Sequence, residues 1–403
     1  MSKRVLFVDD EPNILTGLER TLRPMRTQWE MAFVPGGNEA LQALEQHPYD
    51  AVVTDMRMPG MTGAQLLDKV RDQFPQTIRI VLSGQSDREA MVRSISSAHQ
   101  FLSKPCDAEQ LKSVLERTIA LTGLLKNESI KKFIFRLKSI PSLPALYEDL
   151  VRELRSDNPS ASRLGAIISQ DMAMTAKLLQ MVNCPVYSVG AEVTEPSRAI
   201  LLLGVDTIQA MVLSLSIFSA CDQRVLSAQD ARSLWEHSTF VSKLSTLIAK
   251  TEGVAVRDLG AYQSAGLLHN SGKLVMASAD PKEYRMSENL AFSTGRDLCL
   301  LEAETLGCSH EEIGAYLLGL WGLPSSIIEA VAWHHHPSAS PVKKFSPLVA
   351  VHVASAFHGQ VHPAFRHWAP DLDHEFLERV GLGKRLEPWM QVCNDQIAEA
   401  QPA

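Results

Sequence analysis

The sequence predicts two domains of different class: an α/β domain built on a five-stranded parallel sheet, then an all-helical domain. Three observations predict this. Short apolar runs alternate with helical patterns over the first third of the chain. Beyond residue 130 the strand signals fade while helical periodicity continues. Acids, a serine and a lysine follow the apolar runs of the first third, at the strand ends where open α/β sheets bind ligands.

The strands are expected at "RVLFVDD", "WEMAFV", "DAVVTD", "TIRIVLSG" and "HQFLSKP", with helices at "NILTGLERTL", "NEALQALEQ", "GAQLLDKVRDQF" and "DREAMVRSIS" between them. Apolar runs of this kind suit strands buried on both faces. The first ends in Asp9 and Asp10, the third in Asp55, the fourth in Ser83 and the fifth in Lys104. Three carboxylates on one rim repel each other unless a hard cation lies between them, and Mg²⁺ is the natural oxygen-ligated choice. A lysine and a hydroxyl beside them can hold phosphoryl oxygens, and one Asp can act as a nucleophile by forming an acyl phosphate.

This constellation resembles the receiver domain of two-component response regulators. "VDDEP", "TDMRMPGMTG", "LSG" and "FLSKP" fall in that family's order across residues 1–125. The resemblance implies a flavodoxin-like fold and phosphorylation of Asp55 by a sensor histidine kinase. It implies Mg²⁺ held by Asp10, Asp55 and the backbone carbonyl of Arg57, with Asp9 acting through water. Ser83 and Phe101 correspond to the paired switch residues, although an aromatic at 101 also suits a core position. Lys104 corresponds to the phosphate-sensing lysine, and the bond from Lys104 to Pro105 is a candidate cis peptide.

Residues 126–138 are expected to be a helical connector, since "LLKNESIKKFIFRLKSI" contains no Gly/Ser-rich or Pro-rich tether. Leu111, Leu115, Thr118, Thr122 and Leu125 form a stripe just before it. That stripe suits packing on the chain's own sheet or pairing in a homodimer.

From residue 139 the chain reads as helix after helix. Eleven of the thirteen histidines lie beyond residue 230, and His237, His269, His310, His334 and His335 follow the order of the metal-dependent HD phosphohydrolases. "SIPSLPALYEDLVREL", "ISQDMAMTAKLLQMVNCP", "AILLLGVDTIQAMVL", "GLLHNSGKL" and "LPSSIIEAVAWHHHP" together resemble the HDOD domain, the HD-related output domain of bacterial signalling proteins. The resemblance spans about residues 139–355, with a C-terminal helical extension over 356–403, and implies a regulatory or protein-interaction module with a decayed active site.

Where an HD enzyme carries a His-Asp doublet, this chain has His269 and Asn270. The second aspartate of the pattern falls near Ser355. An anionic ligand balances the charge of a divalent ion, whereas an amide and a hydroxyl do not, so hydrolysis by the HD route is not expected. No Gly-Tyr-Pro element follows the paired histidines, which removes the sequence support for cyclic dinucleotide hydrolysis. Three roles remain for the histidines: buried helix packing, a residual metal site from His269, His310, His334 and His335, or a receiver-gated metallophosphohydrolase acting on a nucleotide. Lys273 suits a helix C-terminal cap or a ligand contact.

Bulk properties narrow the partners. The net charge of −7 and an aromatic content of 6% argue against nucleic acid. No apolar run is long enough to span a bilayer. The six cysteines show no C-x-x-C spacing, as suits reduced cytoplasmic thiols. The expected partners are a sensor histidine kinase and a downstream protein, with no membrane.

Overall fold

A computed structural model describes residues 3–83, 97–104, 108–121, 128–136, 144–156, 158–183, 192–209, 212 and 228–400. The first domain is a parallel sheet of β1 (Lys3–Val8), β2 (Trp29–Val34), β3 (Ala51–Asp55), β4 (Ile78–Ser83) and β5 (Gln100–Ser103), in the order β2-β1-β3-β4-β5. Val5 to Val8, Ala51 to Val53 and Ile80 to Leu82 are buried along their whole length, because helices cover both faces. The helix Gly63–Gln73 starts with a reciprocal cap between Thr62 and Gln65. Its first residue must be glycine, since a Cβ on Gly63 would run into the Asp55 carbonyl oxygen.

Leu111, Leu115 and Thr118 lie on the helix Ala108–Leu121 and are buried within the chain. Thr118 accepts a hydrogen bond from Gln100 (2.8 Å) and donates to the Val114 carbonyl (2.6 Å). The described part of the stripe is therefore buried within the chain, beside β5 and the helix His310–Leu320. Thr122, Leu125 and Pro105 lie outside the described residues, as do the helix expected at "DREAMVRSIS" and the ends of the connector.

The second domain is helical. Its centre is the long helix Ala228–Thr251, packed against Leu259–Leu268 and Pro347–Val361, with Ser271–Ala279 against His310–Leu320 beside it. Two runs that read as single helices are broken. "ASRLGAIISQDMAMTAKLLQMVN" divides into Ala161–Ile168 and Met172–Val182, because the Asp171 carboxylate caps the second helix by accepting from Met174 N (2.9 Å). "LGAYQSAGLLHNSGKLVMA" divides at His269 and Asn270, which form the junction between Leu259–Leu268 and Ser271–Ala279. The helix Pro347–Val361 runs through the expected boundary at 355 and 356. Phe365 and Trp368 then pack on His237, so the C-terminal segment closes the domain centre.

The two domains meet at the amino-terminal end of β4 and β5. Arg79 of β4 is fully buried; its guanidinium donates to the carbonyls of Ser97 (2.5 Å) and of Phe135 (2.7 Å) in the connecting helix Glu128–Arg136. Burial pushes its pKa down to about 9. Gln180 of the helical domain donates to the His99 carbonyl (3.2 Å), and Gln100 lies 3.5 Å from the Gly319 carbonyl. Among the described residues, no helix is long and apolar enough to cross a membrane.

Candidate functional site

Two sites emerge, one at the carboxyl ends of the strands and one among the buried histidines. At the first, parallel pairing of β1 and β3 sets Asp9 and Asp55 side by side. Lys104, just beyond β5, donates to Asp9 Oδ2 (2.6 Å) and also bonds Asp55 Oδ1. The remaining oxygens are held by backbone: Asp9 Oδ1 accepts from Glu11 N (3.0 Å) and Asp55 Oδ2 from Arg57 N (2.8 Å). Burial raises the pKa of Asp55, with Lys104 pulling the other way. For Lys104, burial works against the charge, but its bonds to Asp55 and Asp9 win and raise the pKa.

Asp10 follows on the same rim and is partly exposed, and Arg57 is exposed. Ser83 ends β4 with its hydroxyl buried and without a partner among the described residues, while Lys104 N donates to the Ser83 carbonyl (2.8 Å). Phe101 is buried in the sheet. The carboxylate pair and its neighbour Asp10 suit a hard divalent cation, and the lysine now balances the charge that such an ion would share.

The second site is a chain of imidazoles. His358 Nδ1 lies 2.6 Å from His237 Nδ1, and His237 Nε2 lies 3.3 Å from His269 Nε2. The His269 ring stands 4.9 Å from that of His334, whose Nε2 is 3.3 Å from His310 Nε2. His335 packs edge-on against both His310 and His334. All are buried. Burial holds them neutral: it pushes His269 and His358 down to about 3 and carries His237, His310, His334 and His335 well below the usual imidazole range.

The Asn270 position explains how this centre is stabilised. His269 Nδ1 bonds the Gly266 carbonyl (2.7 Å), which places the proton on Nδ1 and a lone pair on Nε2. Asn270 Nδ2 then donates to that lone pair (2.8 Å), occupying the electrons that a metal ion would need. Ser355 lies on Pro347–Val361 with His352 and His358 one turn to either side, and its hydroxyl is buried without a partner among the described residues.

Lys273 does not cap a helix C-terminus. It sits in the first turn of Ser271–Ala279, fully buried, 3.5 Å from Glu288 and over the Trp368 ring. Its neighbour Gly272 leaves no room for a Cβ against the His310 carbonyl, so the two helices cross in close contact. Sequence reasoning also missed Glu311, next to His310 on the same helix, and Cys299, Glu302, His352 and His358, which approach the histidines from other helices. "SHEE", a capping box at Ser309 and Glu312, was the one local signal that a helix begins at His310.

Comparison with known proteins gives two family matches. The response regulator receiver domain matches residues 5–116, and the HDOD domain matches residues 140–337. A curated relative, an uncharacterized protein of Treponema pallidum, is 27% identical over 217 residues, which are 53% of this chain and 41% of that one. The hydrogenase transcriptional regulatory protein HoxA of Cupriavidus necator is 33% identical over 122 residues, 30% of this chain and 25% of the relative. The chain thus covers less than half the length of these two curated relatives. Among solved structures, the MmoQ response regulator of Methylococcus capsulatus is 24% identical with a TM-score of 0.44, over 62% of this chain and 98% of that one.

Proposed function

The chain is a response regulator that joins a receiver domain to an HDOD domain, and from that premise we propose that it takes a phosphoryl group on Asp55 and signals through protein contact rather than hydrolysis. A receiver domain implies a histidine kinase as phosphodonor. The observation that carries the reading is Lys104 bridging Asp9 and Asp55 at the carboxyl ends of the strands.

Asp9, Asp10, Asp55 and the Arg57 carbonyl would hold Mg²⁺, which supplies positive charge for the entering phosphoryl oxygens. Asp55 offers the nucleophilic oxygen. Lys104 exchanges its carboxylate partners for a phosphoryl oxygen, and the free hydroxyl of Ser83 is a ready donor to another. β4 and β5 carry Ser83 and Lys104 at one end and Arg79 and Gln100 at the other, where they touch the helical domain. A shift of these strands therefore bears directly on the domain contact. It transmits a signal only through a difference in stability between the two arrangements.

Loss of hydrolysis in the helical domain is supported by Asn270, whose amide fills the His269 lone pair, and by the uncharged Ser355. A downstream protein is then the target of the output. In the test, acetyl phosphate and Mg²⁺ label the full chain, and Asp55→Asn abolishes the label; a label that persists refutes the assignment. Turnover of any nucleotide with Mn²⁺ that vanishes in His269→Ala overturns the non-enzymatic reading.

A further inference from the structure

His310 presents a conflict that neither neutral form of its ring resolves while Glu302 is ionised. With the proton on Nδ1, the ring donates to Glu302 Oε2 (2.7 Å), but the Nε2 lone pair then faces His334 Nε2 at 3.3 Å. That His334 nitrogen also carries a lone pair, because His334 Nδ1 bonds the Val331 carbonyl (3.0 Å). With the proton on Nε2 instead, the contact to His334 becomes a hydrogen bond, and the Nδ1 lone pair meets the Glu302 carboxylate. That form calls for either a proton on Glu302, whose pKa burial raises to about 7, or a cation beside Nδ1.

The groups around Nδ1 are those that bind a borderline-soft cation. Cys299 Sγ is 3.9 Å from it. Cys299, His310 and His335 are all buried, and each offers one ligand atom within 4.8 Å of the others. His335 Nε2 is buried with no partner among the described residues, as is Glu302 Oε1. A sulfur and a nitrogen sharing one zinc ion at about 2.3 and 2.1 Å can be no more than about 4.4 Å apart. The observed 3.9 Å lies inside that limit.

We propose that Cys299, His310 and His335 form a zinc site, with Glu302 as its balancing carboxylate. Zn²⁺ displaces the Cys299 thiol proton to solvent and moves the His310 ring proton to Nε2, where it bonds His334. The two imidazoles bind as neutral ligands, and the thiolate and Glu302 cancel the two charges of the ion. The site lies across His310 from His269, so it does not depend on the doublet at His269 and Asn270. It ties the helix Leu298–Leu306 to the start of His310–Leu320 and to the turn after Ser325–Trp333.

The test uses the full chain, stripped of metal with chelator and titrated with Co²⁺. One equivalent produces a near-ultraviolet thiolate-to-cobalt band, Cys299→Ser abolishes it, His269→Ala keeps it, and Zn²⁺ displaces it. Glu302→Gln, a positioning change, weakens affinity about 10- to 100-fold. Absence of the band, its survival in Cys299→Ser, or its loss in a folded His269→Ala overturns the proposal. X-ray absorption of the zinc-loaded wild-type chain needs no variant: one sulfur neighbour at about 2.3 Å supports the site, and none refutes it.

Discussion

The receiver rim and the histidine centre solve opposite electrostatic problems. At the rim two carboxylates are forced together by strand pairing, and a single lysine that reaches solvent answers both. In the centre the rings are neutral and buried, and His237, His269 and His358 bond one another, a backbone carbonyl and the Asn270 amide, while His335 Nε2 has no partner among the described residues. The rim keeps charge, with Lys104 as the cation between its two carboxylates. The centre carries a neutral amide, Asn270, beside His269, and holds it in a buried hydrogen-bond network. Each rests on a glycine pressed against the carbonyl of a principal residue, Gly63 on Asp55 and Gly272 on His310. The difference therefore lies in the side chains and not in how rigidly the backbone holds them.

The largest effect comes from removing the answering charge at the rim. Lys104→Met leaves Asp9 and Asp55 facing each other with no cation, and breaking a buried ion pair of this kind costs on the order of 3 kcal/mol. Urea denaturation at neutral pH is expected to show that loss, and added Mg²⁺ is expected to restore most of it. Equal losses with and without Mg²⁺ would mean that the rim does not exchange one cation for another.

Asn270→Asp returns formal charge to the centre. Its carboxylate would face the His269 lone pair in place of a donor, an unfavourable buried contact of about 2 kcal/mol. The variant is expected to be less stable than wild type without metal and to recover when Mn²⁺ is added. It is expected to show no nucleotide hydrolysis, because Ser355 offers no carboxylate. Hydrolysis by this single variant would show that the second anionic position is dispensable.

Much of this was legible in the sequence because the rim is local in sequence. Each rim residue directly follows an apolar run, so period and end position reveal it together. The order of the histidines was legible for the same kind of reason. The partners that decide their chemistry were not. Cys299 and Glu302 stand alone among apolar neighbours, Glu311 reads as part of a capped first turn, and all three matter only because helices converge on the histidines. Arg79 reads in isolation as a solvated strand residue; it is buried because the connecting helix covers it. Asp171 and His269 fall inside continuous helical periodicity, and only the cap and the junction show where the helices end.

A graded effect, smallest near neutral pH, tests the buried imidazoles by their response to acid. Burial pushes His352 and His367 down to about 4 in the folded chain, whereas unfolded histidine titrates near 6.5. Between about pH 6.5 and 4 the unfolded state therefore binds more protons than the folded state. The contribution of each such histidine falls as pH falls, by roughly 1.4 kcal/mol per pH unit, and is flat above that window, while the buried Glu302, whose pKa is raised to about 7, contributes with the opposite sign. Five of the six tryptophans lie in the helical domain, so denaturation followed by tryptophan fluorescence reports chiefly on that half. His352 is the sharper probe: it is fully buried, bonds the His334 carbonyl through Nδ1 (2.7 Å) and accepts from Asp373 N through Nε2 (2.9 Å). His352→Gln keeps a donor and an acceptor there but cannot titrate, so it is expected to reduce the slope by about one proton's worth. An unchanged slope in that variant would show that His352 is not held neutral by burial in the folded chain.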